Sequence, residues 1–599
     1  MLDQNRQWLK TSNPKLLHAY KPQEQKDPLP DLGGLRCLEI SHESKKPNLP
    51  DDYYSPIVYH EQQSLVKSIQ DKPHQGEVRF CLISGTDGGH LLKRTLEEND
   101  IKNLVVVEPN IHSFFHSLQT IDWPQIFKEF EDKEGTIYFH IGPVTLEIKD
   151  KLTKHVLEIG TFNASSIHMV HDGGEANQEA IPAVIQALQS AIQTLGFYDD
   201  ERVGLAHSLF KMEQGSRFLI KRSEPWIEKP VVVCGNGPSL TEVLPQIKKN
   251  RKDIFLMACG TAVGTLQRHN VKPDFYIEQE RPKVTSNWTK RTTTPEFRKG
   301  ITCIGLNVVH PQTHEMWGDI GYVLKQNDFG GVMVKNFMPE CPRLPFVNPL
   351  VANAGASIAV ALGFRHIWLA GVDCSFSAEG KSHAKGSTRK DDRIKLIECA
   401  GNFRESVEST PLYQDSIQAM EGLIRLNSAK FFNLGDGALI QGAKPARVLK
   451  VKKGKKQTSK AEVMANFKPC EVVPDKNLIR RNFTALAFQL RTLIDNIPDK
   501  IRNKTEAFFF IDRIHRKILQ MKSEDPDLWY LVKGSFTTQL VFMAACANRD
   551  LDAFNESSAI LKRFVKHIHE EIRDDLYRFD TWEFGPFGEA GMPEDINAS

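Results

Sequence analysis

Short apolar runs, each closed by glycine, asparagine or an acidic residue, alternate with amphipathic stretches through most of the chain. A short apolar run bounded by turn residues reads as a strand buried on both faces, and its alternation with helical stretches predicts parallel α/β units. The first series places strands at 78–85, 104–108, 135–139 and 156–159, with helices at 90–96, 111–119 and 181–194. The second and richer series places strands at 230–234, 254–258, 275–277, 301–306, 366–370 and 431–433. Helices follow the first of these and fall at 262–269 and 354–362.

The pattern changes after residue 443. Six lysines between 450 and 460 do not suit a core helix. They read as a solvated linker or as a contact for an acidic partner or phosphate. From 477 to 572 the apolar positions recur at helical spacing, which predicts an all-helical domain of about four helices. The aromatic triplet Phe508-Phe-Phe510 falls within it and reads as core rather than as a ligand platform. Five segments result: a polar, peripheral 1–75 that docks on something larger, a small Rossmann-like α/β domain at 76–228, a central α/β domain at 229–445, a basic linker at 446–475, and a helical domain at 476–599.

Composition narrows the classes. Seventy-seven basic against 75 acidic residues leave a charge of +2, which gives no global field to attract nucleic acid or a membrane surface. Ten cysteines without a CxxC pair argue against a zinc ribbon or a disulfide scaffold. The N-terminal residues lack the apolar core of a secretory signal, and no stretch is long and apolar enough to span a membrane. A cytoplasmic protein is expected.

In an open parallel sheet the ligand crevice lies beyond the C-terminal ends of the strands, so the residues that follow each strand carry the candidate chemistry. Gly235-Asn-Gly-Pro-Ser239 joins a strand to a helix. Its glycines allow close approach, Pro238 suits a first helical turn, and free N–H groups there would face a phosphate. The alternative is a plain tight turn. A leucine stands where a dinucleotide fingerprint has its third glycine, so a standard NAD site is not supported. Thr261 follows the second strand. Glu278 and Glu280 follow the third and are expected to point the same way, towards a sugar hydroxyl or a solvated rim. Asn307 ends the fourth strand, where an amide usually has a specific partner. Gly355 and Ser357 open a small-residue helix suited either to a phosphate or to tight helix–sheet packing. Asp373 follows the fifth strand, ahead of a polar loop that holds His383, which reads as a general base, a phosphate contact or an ordinary surface histidine. In the first series, the 85–89 glycine turn and Glu108 hold the positions of a nucleotide loop and a ribose-binding acid, or of a scaffold that binds nothing. Neither a P-loop nor an Asp-x-Asp pair beyond a strand is present in the central unit.

Taken in order, Gly235–Leu240, Ala258-Cys-Gly-Thr261, Val271-Lys-Pro-Asp-Phe275 with Glu278 and Glu280, 354–376, and Asn433-Leu-Gly-Asp-Gly-Ala438 resemble the motility-associated factor (Maf) family of bacterial flagellin glycosyltransferases. The resemblance is strongest over 229–445. It implies a central Rossmann-like parallel sheet similar to that of bacterial sialyltransferases, preceded by a small α/β domain and followed by a helical one. It further implies metal-independent transfer of a pseudaminic- or legionaminic-type nonulosonic acid from its CMP-activated form to Ser or Thr of flagellin, with no separate cofactor and no metal ligands. Carried onto this chain, Gly235, Asn236, Gly237 and Ser239 would hold the nucleotide phosphate. Thr261, Glu280 and Asn307 would line the donor pocket, Gly355 and Ser357 would cradle phosphate or cytidine, and Asp373 would face the crevice. Glu280, Asp373 and His383 are the candidate catalytic groups. A homo-oligomer is compatible with the sequence. The central region also resembles an archaeal-type pterin pyrophosphokinase, which would use ATP with Mg²⁺, and a non-catalytic flagellin-binding assembly factor is the third reading.

Overall fold

A computed structural model describes residues 1–12, 36–40, 78–142, 146–165, 167–171, 196–221, 226–385, 396–451, 458–498 and 500–578. The helix expected at 181–194, most of the 1–75 segment, the centre of the lysine run and the tail after 578 lie outside the described residues. The chain forms two compact units: Met1–Phe197 with Ala485–Glu571, and Tyr198–Thr484 with Ile572–Ser599.

In the first unit, β1 (Arg36–Ile40), β2 (Val78–Ser84), β3 (Ile101–Glu108), β4 (Thr136–Ile141) and β5 (Ile167–His171) form one sheet in the order β1-β5-β2-β3-β4. β2, β3, β4 and β5 pair in parallel, and β1 adds antiparallel to the edge. Side chains alternate across the sheet. Cys81, Ile83, Leu104 and Val106 face one core with Phe114, Leu118 and Trp123 from the helices Ile111–Thr120 and Trp123–Asp132. Phe80, Leu82, Val105 and Val107 face the other, with Leu152 and Val156. The strand expected at 156–159 is instead the end of the helix Leu146–Ile159. A short apolar run does not distinguish a buried strand from a helix face, and the true edge strand follows at β5. The N-terminal helix Leu2–Ser12 docks on the first core through Asn5, which is fully buried. Its Nδ2 donates to the Leu118 and Ile121 carbonyls at 2.8 and 2.6 Å.

The C-terminal helices from Ala485 to Glu571 group with this leading sheet in one compact unit. Arg79 on β2 is 5% exposed and reaches Asp512 on the helix Lys504–Glu524 at 3.0 Å, while its guanidinium lies over the Phe508 ring. Asn163 accepts from Arg79 Nε at 2.9 Å, and Phe162 meets His515 edge to face. Phe508 and Phe510 are buried, as expected of core, whereas Phe509 is 63% exposed.

The second unit contains β6 (Arg217–Leu219), β7 (Val231–Cys234), β8 (Phe255–Cys259), β9 (Phe275–Glu278), β10 (Thr302–Leu306), β11 (Ile320–Lys325), β12 (Arg343–Leu344), β13 (His366–Ala370), the separate hairpin of β14 (Ile397–Ala400) and β15 (Ser406–Ser409), β16 (Lys430–Asn433), β17 (Lys444–Pro445) and β18 (Phe467–Pro469). Apart from that hairpin they make an 11-stranded sheet, ordered β17-β16-β13-β7-β8-β9-β10-β11-β6-β18, with β12 beside β11. All pairings are parallel except that of β18 with β6. From β7 the chain builds outward through β8, β9, β10 and β11. It then returns to lay β13 and β16 on the other side of β7. The strand order therefore reverses between β7 and β13, and the crevice of such a sheet opens at that reversal. The sequence pattern does not reveal β11 or the helix Phe329–Phe337 after it, where Gly330-Gly331 interrupts the apolar spacing.

Candidate functional site

Two glycines meet at the reversal. Gly235 follows β7 and Gly371 follows β13; a Cβ on Gly235 would stand 2.5 Å from the Gly371 oxygen, and one on Gly371 2.6 Å from the Gly235 oxygen. The Gly237 N–H then donates to the Gly371 carbonyl at 2.8 Å. This contact brings Asp373 under the turn that starts the helix Leu240–Lys249. One Asp373 oxygen accepts the Ser239 N–H at 3.0 Å and the other accepts the Ser239 hydroxyl at 2.5 Å. Burial pushes the Asp373 carboxyl up to about 6, and nearby Asp436 and Glu242 add to this, while the bonds from Ser239 oppose it.

Asp373 is enclosed. Cβ atoms on Gly237, Gly435 and Gly437 would stand 2.2, 2.6 and 2.2 Å from its atoms, and the Ala438 N–H donates to its carbonyl at 2.7 Å. The segment 433–438 after β16 is thus a wall of this site, although it is absent from the residues expected to bind. Its signal in the sequence is the Asn-Leu-Gly-Asp-Gly run at a strand end. At Ser239, expected in a phosphate loop, the N–H and hydroxyl are taken by a carboxylate of the protein itself.

Asn236 spans two helical threonines. Its Nδ2 donates to Thr261 Oγ1 at 3.1 Å, and its Oδ1 accepts from Thr265 Oγ1 at 2.8 Å. Thr265 lies four residues beyond Thr261, on one helix face, and sequence reasoning missed it. The polar loop after β13 folds back so that the Ala384 N–H donates to the Asn236 carbonyl at 2.8 Å. His383 therefore stands beside the loop after β7, with Nδ1 2.7 Å from Ser382 Oγ. Gly235, Asn236, Gly237, Ser239, Thr261, Asp373 and His383 gather in one place.

Asn307, Gly355 and Ser357 are engaged elsewhere within the protein. Asn307 is fully buried; its Nδ2 donates to Ser208 and Asp328 at 2.9 and 2.7 Å, and its Oδ1 accepts the Lys325 N–H at 2.8 Å. That saturates the amide within the protein. Gly355 serves helix–sheet packing, since a Cβ would stand 2.5 Å from Cys259 Sγ and 3.0 Å from a Val233 methyl. Ser357 donates to the Pro345 carbonyl at 2.7 Å. Its helix begins at Val351, three residues ahead of the expected start. Glu278 and Glu280 do not point the same way: Glu278 ends β9 at 2% exposure, whereas Glu280 is exposed. The chain turns directly after the strand, so the period-two argument stops there.

The first unit repeats the device. Glu108 at the end of β3 accepts from the Thr86 N–H and hydroxyl at 2.7 Å each, from Ser113 Oγ at 3.0 Å and from the Asn110 N–H at 2.9 Å. A protein carboxylate fills the place of a bound anion, and burial raises its pKa above the usual range. Replacing Glu108 by alanine is expected to leave the three buried donors of Thr86 and Ser113 without this acceptor, lowering unfolding stability by about 2–4 kcal/mol without changing nucleotide affinity. Chemical unfolding and calorimetry on the same variant check this; lost affinity at unchanged stability would contradict it.

Among the described residues no group of three or more His, Cys, Asp or Glu is placed to hold a metal ion, and no helix is long and apolar enough to cross a membrane. A family model described as glycosyltransferase Maf N-terminal domain matches residues 34–193. Another, described as 6-hydroxymethylpterin diphosphokinase MptE-like, matches residues 205–379. No curated protein matches the chain. Among solved structures, the chain is similar to the MAf glycosyltransferase from Magnetospirillum magneticum AMB-1, at 21% identity and a TM-score of 0.63, over 89% of this chain and 85% of that one. The α/β architecture described above, with its central sheet and helical regions, is the fold of a Maf glycosyltransferase.

Proposed function

We propose that the protein transfers a nonulosonic acid of the pseudaminic or legionaminic type from its CMP-activated form to Ser or Thr hydroxyls of flagellin, without a metal ion. The observation that carries this reading is the likeness to a Maf glycosyltransferase along 89% of the chain. The match of the leading segment to the Maf N-terminal domain supports it.

In this reading the donor occupies the crevice where Asn236, Thr261 and His383 gather. The acceptor hydroxyl oxygen attacks the anomeric carbon, the bond from that carbon to the phosphate oxygen breaks, and CMP departs with the electron pair. The configuration inverts, and the hydroxyl proton passes to a base. Position favours His383, whose neighbour Ala384 is bonded to Asn236 and whose ring is oriented by Ser382. Glu280, exposed at the end of β9, is the rival. Asp373, with both oxygens on Ser239, shapes the loop instead of receiving the proton.

The second reading is pyrophosphoryl transfer from ATP to a hydroxymethyl pterin, favoured by the match over 205–379. That match stops within the second unit, whereas the likeness to the Maf structure extends through both. Calorimetric titration with CMP and ATP separates the two. Saturable CMP binding in EDTA is the expected result. Binding of ATP alone, and only with Mg²⁺, would replace the first reading by the second.

A further inference from the structure

Glu278 has no part in the mechanism above, yet it is one of the most constrained carboxyls in the second unit. It is 2% exposed at the end of β9. Oε1 accepts the N–H groups of both Gln279 and Glu280, at 2.9 and 3.1 Å. Oε2 meets the Tyr276 hydroxyl, which lies 3.1 Å from Thr289 Oγ1. Thr289 Oγ1 in turn donates to the Thr285 carbonyl at 3.0 Å. The Tyr276 ring is stacked on Trp317 with centroids 4.6 Å apart, which fixes the place of its hydroxyl.

The chain of contacts accommodates either state. If Glu278 is ionised, Tyr276 donates to it and Thr289 can turn its hydroxyl proton from the Thr285 carbonyl to Tyr276; if Glu278 carries a proton, it can donate to Tyr276, Tyr276 to Thr289 and Thr289 to Thr285. Oε1 remains an acceptor for the two backbone N–H groups in either case. Burial favours the protonated form and raises the Glu278 carboxyl to about 7, against the bonds from Tyr276 and the two backbone N–H groups. The titratable groups that face it are the Glu280 carboxylate, the Tyr276 phenol and the Cys303 thiol on β10.

We propose that Glu278 is a positioning residue: a buried carboxyl whose Oε1 pins the Gln279–Glu280 turn and so fixes what β9 presents at the C-terminal edge of the sheet. Its bearing on transfer rests on the reading that this edge receives the CMP-activated donor. From the other side, Gln279 Nε2 donates to the Pro349 carbonyl at 3.0 Å and to Glu280 Oε1 at 3.2 Å, so the turn is held by the strand and by the facing loop together. When Glu278 ionises, a second negative charge appears behind Glu280 and opposes a donor phosphate.

The test compares the wild type with Glu278→Gln and Glu278→Leu, reading amide hydrogen exchange at Gln279 and Glu280 and CMP affinity between about pH 6 and 8.5. Glutamine keeps an oxygen for the two N–H groups and an NH₂ that donates to Tyr276. Its two amides should therefore exchange at the wild-type rate, and its CMP affinity should lack the loss near pH 7 that the wild type shows. The wild type should lose roughly three- to tenfold in affinity as pH rises through about 7. Leucine should speed exchange at the two amides by roughly tenfold or more and weaken CMP binding at every pH, with circular dichroism unchanged. Slow exchange in Glu278→Leu, or fast exchange in Glu278→Gln, overturns the proposal. A wild type that binds no CMP overturns the donor reading instead, while the exchange rates still decide the role of Glu278.

Discussion

Replacing Gly237 by valine is expected to abolish CMP binding and to lower the stability of the second unit at the same time. A Cβ at this position would stand 2.2 Å from one Asp373 oxygen and 2.7 Å from the Gly371 carbonyl oxygen. Neither neighbour has room to yield. The Gly371 oxygen is held at the end of β13 by the Gly237 N–H itself, and Asp373 is hemmed in by Gly435 and Gly437. The side chain must therefore break the bonds between Asp373 and Ser239, leaving a buried carboxylate without its donors. Overpacking costs about 1–3 kcal/mol, and a stranded buried charge costs about 3–5 kcal/mol where no partner replaces the lost one. Asp373 can take up a proton, since its carboxyl already titrates near 6, so a total of roughly 3 kcal/mol is expected at neutral pH. Calorimetry with CMP and chemical unfolding of the same protein give the two readings. Gly318, with nothing within 4 Å of where a Cβ would stand, supplies the matched control as Gly318→Ala. Unchanged CMP affinity in Gly237→Val would remove the loop after β7 from the donor site.

The same glycine shows where sequence stops being informative. Apolar runs mark β7 to β10, β13 and β16 to within about a residue because a strand covered on both faces needs continuous burial, and burial is what hydrophobicity encodes. β13 falls at 366–370 as expected, and β7 and β8 begin one residue later than their runs. The strand-end rule also brings Asn236, Thr261 and Asp373 to one edge, because parallel topology alone puts loops from several strands there. What a polar residue at a strand end touches is a different matter. Asp373 and Asn307 look alike in the sequence, each an isolated polar residue following a buried strand. The first closes on Ser239 within the crevice, and the second closes on Ser208, Asp328 and Lys325 away from it. Only the partner distinguishes them, and the partners lie 134 and 99 residues away in sequence for Ser239 and Ser208. Glycine is more telling than the polar residues at this site. Gly237, Gly435 and Gly437 are required by one residue, Asp373, and their clustering at two strand ends is a signal that a search for binding groups passes over.

The C-terminal helices carry the second large effect. Their apolar spacing predicts helices correctly, but a helical face does not state what covers it. Grouping of Ala485–Glu571 with the leading sheet means that a chain cut after Thr484 should lose the fold of residues 1–197, while β6 to β18 remain together in the second unit. Arg79 explains the severity. It sits at 5% exposure on a central strand of the first sheet, and the cut removes both Asp512 and the Phe508 ring against which it lies. Phe162 and Ser165 lose His515 and Asn548 at the same time. The buried residues Ile511, Ile514 and Ile518 of the helix Lys504–Glu524 leave with it, and each buried aliphatic side chain is worth about 1.5–3 kcal/mol. Together with the lost Asp512 ion pair, these losses match the roughly 5–15 kcal/mol that holds a typical domain folded. Limited proteolysis of the 1–484 chain should consume the leading sheet and leave a resistant fragment starting near Tyr198 that still binds CMP. The single substitution Asp512→Ala probes the same contact more gently. It should cost about 2–3 kcal/mol, below the range for a fully buried pair because Asp512 is 30% exposed. A leading sheet that survives the cut with unchanged protection would mean that the helices act as an independent domain, and Asp512→Ala should then be silent as well.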